Sequence, residues 1–316
     1  MPPSFGPVLA LSGGVGGAKL TLGLCRSLPP DTLTVVANIG DDFEHLGLTI
    51  CPDLDTLLYT LSGEANPELG WGRRDETWTF MAAFEKLGGE RWFRLGDGDL
   101  ATHVERTRRL AAGESLSAIM DNFRRQLGIA ARLLPASDDR LRTRLDTNRG
   151  WLDFQDYFVR LRCEPVVRRI EFAGSETARP HPGILAALAD PELRAVIICP
   201  SNPFISIDPI LAVPGIRQAL RTCHAPVVAV SPIVGGKAVK GPTAKMMEEL
   251  GLPVDAAAVA RRYRDFLDIY IADEADRDAV AGLDLPIVFA PTLMVTLEDR
   301  EALARAVLTT ADRARK

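Results

Sequence analysis

No stretch of this sequence is apolar over the ~20 residues that a membrane-spanning helix needs. The N-terminal MPPSFGP is too short and polar for a secretory signal. Cysteines are few and odd in number: Cys25, Cys51, Cys163, Cys199 and Cys223, with no C-x-x-C pair. That argues against a zinc ribbon or a disulfide framework and fits a reducing cytoplasm. Positive charge is not in excess. The net charge is −5, so the overall field does not favour nucleic acid. Lysine is scarce, with 6 against 31 arginines. Lys19, Lys237, Lys240 and Lys245 fall in or beside glycine-bearing segments, where a compact ammonium can meet a phosphate. The hydrolase elbow G-x-S-x-G is also missing.

What is present is alternation of strand and helix. Val8–Leu11, Leu33–Ala37, Trp92–Leu95, Ala195–Cys199, Pro226–Val230, Ile269–Ala272 and Ile287–Ala290 read as short buried strands. Helices are expected over Ala18–Leu28, Pro52–Leu61, Thr77–Leu87, Asp99–Ala112, Ser115–Leu127 and Pro209–Thr222, and in several shorter runs later in the chain. At about Ser137 the pattern changes to strand, turn and strand. It returns to alternation near Ala178. The expected fold is therefore α/β: one doubly wound, mainly parallel Rossmann-like sheet over 1–316, with a small inserted β-containing element at 137–178.

In such sheets ligands collect beyond the carboxyl ends of strands. Ser12-Gly13-Gly14-Val15-Gly16-Gly17-Ala18-Lys19 follows the first strand. Glycines let backbone approach an anion, and the next helix adds its N-terminal dipole. The segment is neither a Walker motif nor G-x-G-x-x-G. Asp53 and Asp55 in Cys51-Pro52-Asp53-Leu54-Asp55-Thr56 read either as helix caps or as a carboxylate pair for Mg²⁺ or a proton. Arg94, Asp97, Asp99 and His103 cluster in RLGDGDLATH, where Asp99 and His103 also suit plain helix roles. Ser201 and Asn202 end another strand, and Gly235–Lys245 looks like a second anion site. Two anion sites with acidic groups suggest a diphosphate substrate and a divalent cation.

Together LSGGVGGAKL, NIGDDFEHLGLTICPDLDT, WFRLGDGDLATH, ICPSNPFISIDPIL and VAVSPIVGGKAVKGPTAKMM resemble the 2-phospho-L-lactate transferase family, in order from Leu11 to Met247. The resemblance implies transfer of a phosphorylated three-carbon acid from a guanosine diphosphate donor to the ribityl chain of the deazaflavin Fo. GMP is released, Mg²⁺ is used, and the product serves coenzyme F-420 assembly. It also implies a homodimer. Asp55, Arg94 and Asp97 would meet the deazaflavin. Asp53 and Asp55 would hold metal or act on the hydroxyl. Ser12, Gly13, Gly14, Gly16, Gly17, Lys19, Asn38, Ser201, Asn202, Gly236 and Lys237 would serve the nucleotide and its phosphates. The resemblance departs at Gly98, where the family commonly has arginine; Arg94, Arg91 or Lys237 would have to compensate. A non-catalytic nucleotide-sugar-binding regulator of related fold is the alternative, and the PDLDT and LGDGDLATH segments argue against it. An NAD-dependent oxidoreductase fits the glycine spacing poorly.

Overall fold

The structure, a computed structural model, describes residues 6–68, 70–239 and 241–314. Continuous apolar runs become strands covered on both faces. They are β1 (Val8–Ser12), β2 (Leu33–Ala37), β3 (Arg132–Pro135), β4 (Ala195–Ile198), β5 (Val227–Val230), β6 (Ile269–Ala272) and β7 (Ile287–Phe289). All residues of β1, β4, β5 and β6 are buried. The order is β7-β6-β5-β4-β1-β2-β3, and every neighbouring pair is parallel. This is the Rossmann-type order with one strand added. The winding reverses between β1 and β4, which pair directly. A crevice is therefore expected outside the ends of those two strands.

Helix α1 (Gly14–Ser27) follows β1 and buries Ala18, Leu20 and Leu24 on the sheet side. Burying each leucine contributes about 2 kcal/mol. At Gly23 a Cβ would stand 2.1 Å from the carbonyl oxygen of Arg300. Glycine there lets helix α1 touch the C-terminal helix (Leu297–Ala314) backbone to side. Helix α2 (Pro52–Ser62) opens with proline in its first turn and closes on Gly63 in the left-handed region. Helix α3 (Asp97–Ala111) crosses behind it and packs on the short Phe43–His45 and Leu48–Ile50 hairpin. No described helix is long and apolar enough to cross a membrane.

Arg142–Thr147 pairs antiparallel with Gly150–Asp153 and with Val167–Ala173, forming a separate three-stranded sheet. A π-helical turn, Asp156–Arg160, links the last two. The sheet docks through the Thr143 N–H, which donates to the Gly40 carbonyl at 2.6 Å.

Several expectations are corrected. Helix α1 starts at Gly14 rather than Ala18, so Gly14, Gly16 and Gly17 are its first turn and not a preceding loop. Trp92–Leu95 pairs with no strand. Its aromatic side chains instead pack on the Phe43–His45 hairpin, with Phe43 and Phe93 at 4.8 Å. The single helix expected over Pro209–Thr222 is two, Asp208–Ala212 and Ile216–Thr222, because Gly215 adopts φ +91° between them. Strand β3 lies in a stretch that the sequence pattern leaves unassigned.

Candidate active site

A cleft of about 630 Å³ opens where the sheet order reverses, lined by Gly13, Gly14 and Gly16 after β1 and by Pro200, Ser201 and Asn202 after β4. The glycines have packing reasons of their own. A Cβ at Gly16 would sit 2.4 Å from the Pro200 carbonyl oxygen. One at Gly17 would meet the Ser12 and Ser201 hydroxyls at 2.5 and 2.6 Å. Gly14 has φ +63°. The first turn of α1 therefore lies directly on the β4 loop, and its N-terminus faces the cleft. Ser12 is buried beneath it. The Gly13 N–H donates to Ser201 Oγ at 3.3 Å. Asn202 caps the next π-helical turn, accepting from Phe204 N–H at 2.9 Å, and lines the cleft.

The acidic floor is built on Asn38. Its side-chain amide donates to Asp41 Oδ1 at 3.0 Å, to Asp53 Oδ2 at 2.9 Å and to the Ile205 carbonyl at 3.1 Å. Asp53 Oδ1 accepts the Gly14 N–H at 2.6 Å. Asp53 is thus the anion already seated at the α1 N-terminus. Both carboxylates line the cleft. Burial pushes Asp53 up to about 6, opposed by Asn38 and the Gly14 N–H. Burial raises Asp41 well above the carboxylate range, and the neighbouring Asp53 and Asp42 add to the rise. Two buried hard-oxygen donors that repel each other suit a divalent cation.

Asp55 is turned the other way. Arg106, fully buried, donates to both Asp55 oxygens, one at 3.1 Å and the other closer still. His103 Nδ1 stands 3.7 Å from Asp55 Oδ2, and its Nε2 stands 3.1 Å from Asp99 Oδ2. Tyr59 donates to Asp99 Oδ1 at 2.6 Å. Asp55, Asp99 and His103 bring three ligand atoms within 4.8 Å of one another. The Arg106 guanidinium already pairs with Asp55, and none of the three lines the cleft. The expected Asp53–Asp55 pair is therefore not a shared cradle: two residues apart on a helix, the side chains diverge.

Arg94 lines the cleft, its guanidinium 4.1 Å above the Trp78 ring. Asp97 does not. Its oxygens accept from the Thr77 hydroxyl at 2.6 Å and from the Thr79 and Phe80 N–H groups at 3.0 Å, capping the Thr79–Lys86 helix. The Thr77 hydroxyl, then the Phe80 N–H, hold its carboxyl below the usual range. Beside Gly98 stands Arg73, whose Nε would lie 3.3 Å from a Cβ at that position. Arg73 pairs with Glu64 at 3.0 Å. Arg91 is exposed and outside the cleft lining.

The second glycine segment is also filled from within. Gly235 and Gly236 have φ of +58° and +71°, and their N–H groups donate to the buried Asp276 carboxylate at 3.0 and 2.8 Å. Gly236 and the exposed Lys237 are not in the cleft lining; Val234, Val239, Gly241, Pro242 and Thr243 are. Lys245 is held by the Pro165 carbonyl and Glu249. Lys19 lines the cleft, and its ammonium donates to the Met294 carbonyl at 2.7 Å. Lys240 lies outside the described residues.

Sequence reasoning missed Asp41 as a cleft carboxylate, although it stood beside Asn38 in NIGDD. The inserted element at 137–178 is legible in the sequence, but its place in the cleft is not: Phe154, Gln155, Phe158 and Val159 form part of the lining. The Gln155 amide donates to the Asp41 carbonyl at 3.0 Å, tying the insert to the acidic floor. No periodicity marks such a contact. The surviving signal was an aromatic pair with a glutamine in FQDYF.

The profile of the family described as 2-phospho-L-lactate transferase CofD matches residues 8–283. A phosphoenolpyruvate transferase of Kitasatospora aureofaciens is 42% identical over 98% of both chains. One of Streptomyces coelicolor is 41% identical over 98% of this chain and 99% of that one. One of Mycobacterium tuberculosis is 39% identical over 95% of this chain and 97% of that one. The crystal structure of a UPF0052-family protein from Bacillus halodurans superposes with a TM-score of 0.64 at 15% identity, over 96% of this chain and 98% of that one. That likeness concerns the fold alone. The chain belongs to the 2-phospho-L-lactate transferase CofD family of transferases.

Proposed function

We propose that this chain transfers phosphoenolpyruvate, as its guanosine diphosphate conjugate, to the terminal ribityl hydroxyl of the deazaflavin Fo in coenzyme F-420 biosynthesis. The names of its relatives favour the enolpyruvyl acid over phospholactate and phosphoglycerate. The observation that carries the reading is one juxtaposition. Asp41 and Asp53 share the Asn38 amide beside the N-terminus of α1, in a cleft also lined by Ser201, Asn202 and Arg94.

The donor's guanosine end lies along Gly13–Gly17 and the Ser201-Asn202 turn. The acceptor oxygen attacks the phosphorus that carries the three-carbon acid. The bond from that phosphorus to the oxygen of GMP breaks, and GMP leaves with the bridging oxygen. The acceptor's proton passes to a carboxylate of the floor. Asp41 and Asp53 would hold Mg²⁺, which when bound supplies neutralising charge at the diphosphate. Lys19, which lines the cleft, adds positive charge near the same phosphates. Positioning and charge stabilisation carry most of the rate, as in other phosphoryl transfers. Asp55 serves through Arg106, fixing the first turn of α2 from which Asp53 projects. The reading includes a homodimer in the cytoplasm, and sedimentation of the purified protein tests the dimer.

GMP release, followed chromatographically with Fo, Mg²⁺ and the enolpyruvyl donor, tests the reading. Release should require the deazaflavin and stop with chelator. Release independent of Fo would contradict acceptor transfer.

A further inference from the structure

The inserted element reaches the cleft through one short segment. Phe154 and Phe158 stack with ring centroids 5.2 Å apart and an interplanar angle of 15°. Phe154 is buried, while Phe158 stays 39% exposed and lines the cleft with Val159. Among the described residues Phe158 has one ring partner, Phe154, and the rest of its exposed surface borders the cavity. The neighbouring Arg160 sets where that face stands. Its guanidinium lies 4.4 Å above the Trp92 ring and pairs with Glu90 at 3.0 Å. Phe93 and Arg94, which follow Trp92 directly, line the same cleft, as does Trp71, itself 51% exposed. Arg160 thus fastens the insert to the loop that presents Arg94. The cleft is thus lined by aromatic side chains from the insert and this loop and by polar groups from the glycine turn and Ser201.

Building on the functional reading above, we propose that the insert is the acceptor-recognition wall. Phe158 is the face on which the planar deazaflavin ring packs, and Arg160 is a positioning residue that sets the gap between that face and Arg94. A flat ring suits such a gap, because stacking rewards planar contact without needing hydrogen-bond partners. Recognition of the acceptor then resides in a segment separable from the sheet that holds the nucleotide.

Titration of Fo by its own fluorescence, with GDP affinity measured calorimetrically in parallel, tests this. Phe158→Ala should raise the Fo Kd and the acceptor KM about tenfold, and Phe158→Tyr should recover most of the loss. GDP affinity should stay within about twofold. Arg160→Gln should weaken Fo in the same selective way. Trp151→Ala, on the insert but outside the cleft lining, controls for general disturbance and should leave the acceptor KM alone. Unchanged Fo affinity in Phe158→Ala, or a loss of GDP affinity instead, overturns the proposal; the latter would mean that the ring packed there is guanine. Native protein that binds Fo through Phe158 but forms no phosphodiester would sink the transfer reading and leave the wall standing.

Discussion

At the scale of single residues, two aspartates two positions apart on α2 are expected to behave differently. Asp53→Asn removes a carboxylate from the cleft floor while an amide oxygen can still accept the Gly14 N–H. Turnover should fall by about 100-fold or more, with thermal stability little changed. Near-normal turnover in a folded Asp53→Asn protein would remove Asp53 from the chemistry. Asp55→Asn instead leaves the buried Arg106 guanidinium without its counter-charge. Urea denaturation should show a loss of about 3–5 kcal/mol. Both aspartates were legible as PDLDT, but sequence spacing does not say which side chain meets a cleft and which meets an arginine 51 residues on. Asp42 gives a pH signature. Burial pushes it up to about 7, Arg142 opposing. Its folded pKa lies above the unfolded value of about 4, so the folded form holds the proton more tightly. The resulting stability is full below about pH 4 and lost as pH rises through about 7. In chelator-treated protein the urea midpoint should therefore fall between pH 5 and pH 8; Asp53 and Asp41, raised in the same direction, share in that fall, so Asp42→Asn should lessen it. An equally steep fall in the variant would place the titration elsewhere.

Among elements, the glycines of α1 divide into two tasks that one substitution each can separate. A methyl at Gly16 meets the Pro200 carbonyl oxygen, on the cleft side of the helix. A methyl at Gly23 meets Arg300, on the side of the C-terminal helix. Overpacking of this kind costs about 1–3 kcal/mol, so both Gly16→Ala and Gly23→Ala should lower the urea midpoint. GDP affinity of the folded protein should fall only in Gly16→Ala. Equal loss in both would mean that the α1 start has no special part in nucleotide binding. The glycine run is visible in the sequence, where it reads as a turn before a helix that starts at Ala18; the structure makes it the helix's own first turn, whose missing Cβ atoms admit Pro200, Ser12 and Ser201. The apolar strands were readable because burial on both faces leaves continuous runs such as AVII and VVAV. Strand β3 was not, since RLLP carries an exposed arginine and ends in proline. The Gly235-Gly236 turn looked like an anion site for a related reason: its N–H groups do bind a carboxylate, but that of Asp276, 40 residues away.

For the molecule as a whole, the fold follows from strand–helix alternation, whereas the site depends on which loops the sheet order brings together. Pairing of β1 with β4 sets Gly13 against Ser201 across 188 residues. Docking of the insert sets Gln155 on Asp41 across 114. Contacts at that separation leave no local pattern, so the glycine turn, Asp53, Arg94 and Ser201 were found from motifs, while Asp41 and the aromatic wall needed the assembled chain. The most direct measurement is the mass of the product formed when purified protein meets Fo, Mg²⁺ and the guanosine diphosphate conjugates of enolpyruvate, lactate and glycerate in competition. The expected result is a deazaflavin phosphodiester bearing the enolpyruvyl acid, with one GMP released per product. Absence of any phosphodiester, with guanosine donors left intact, would contradict the central claim.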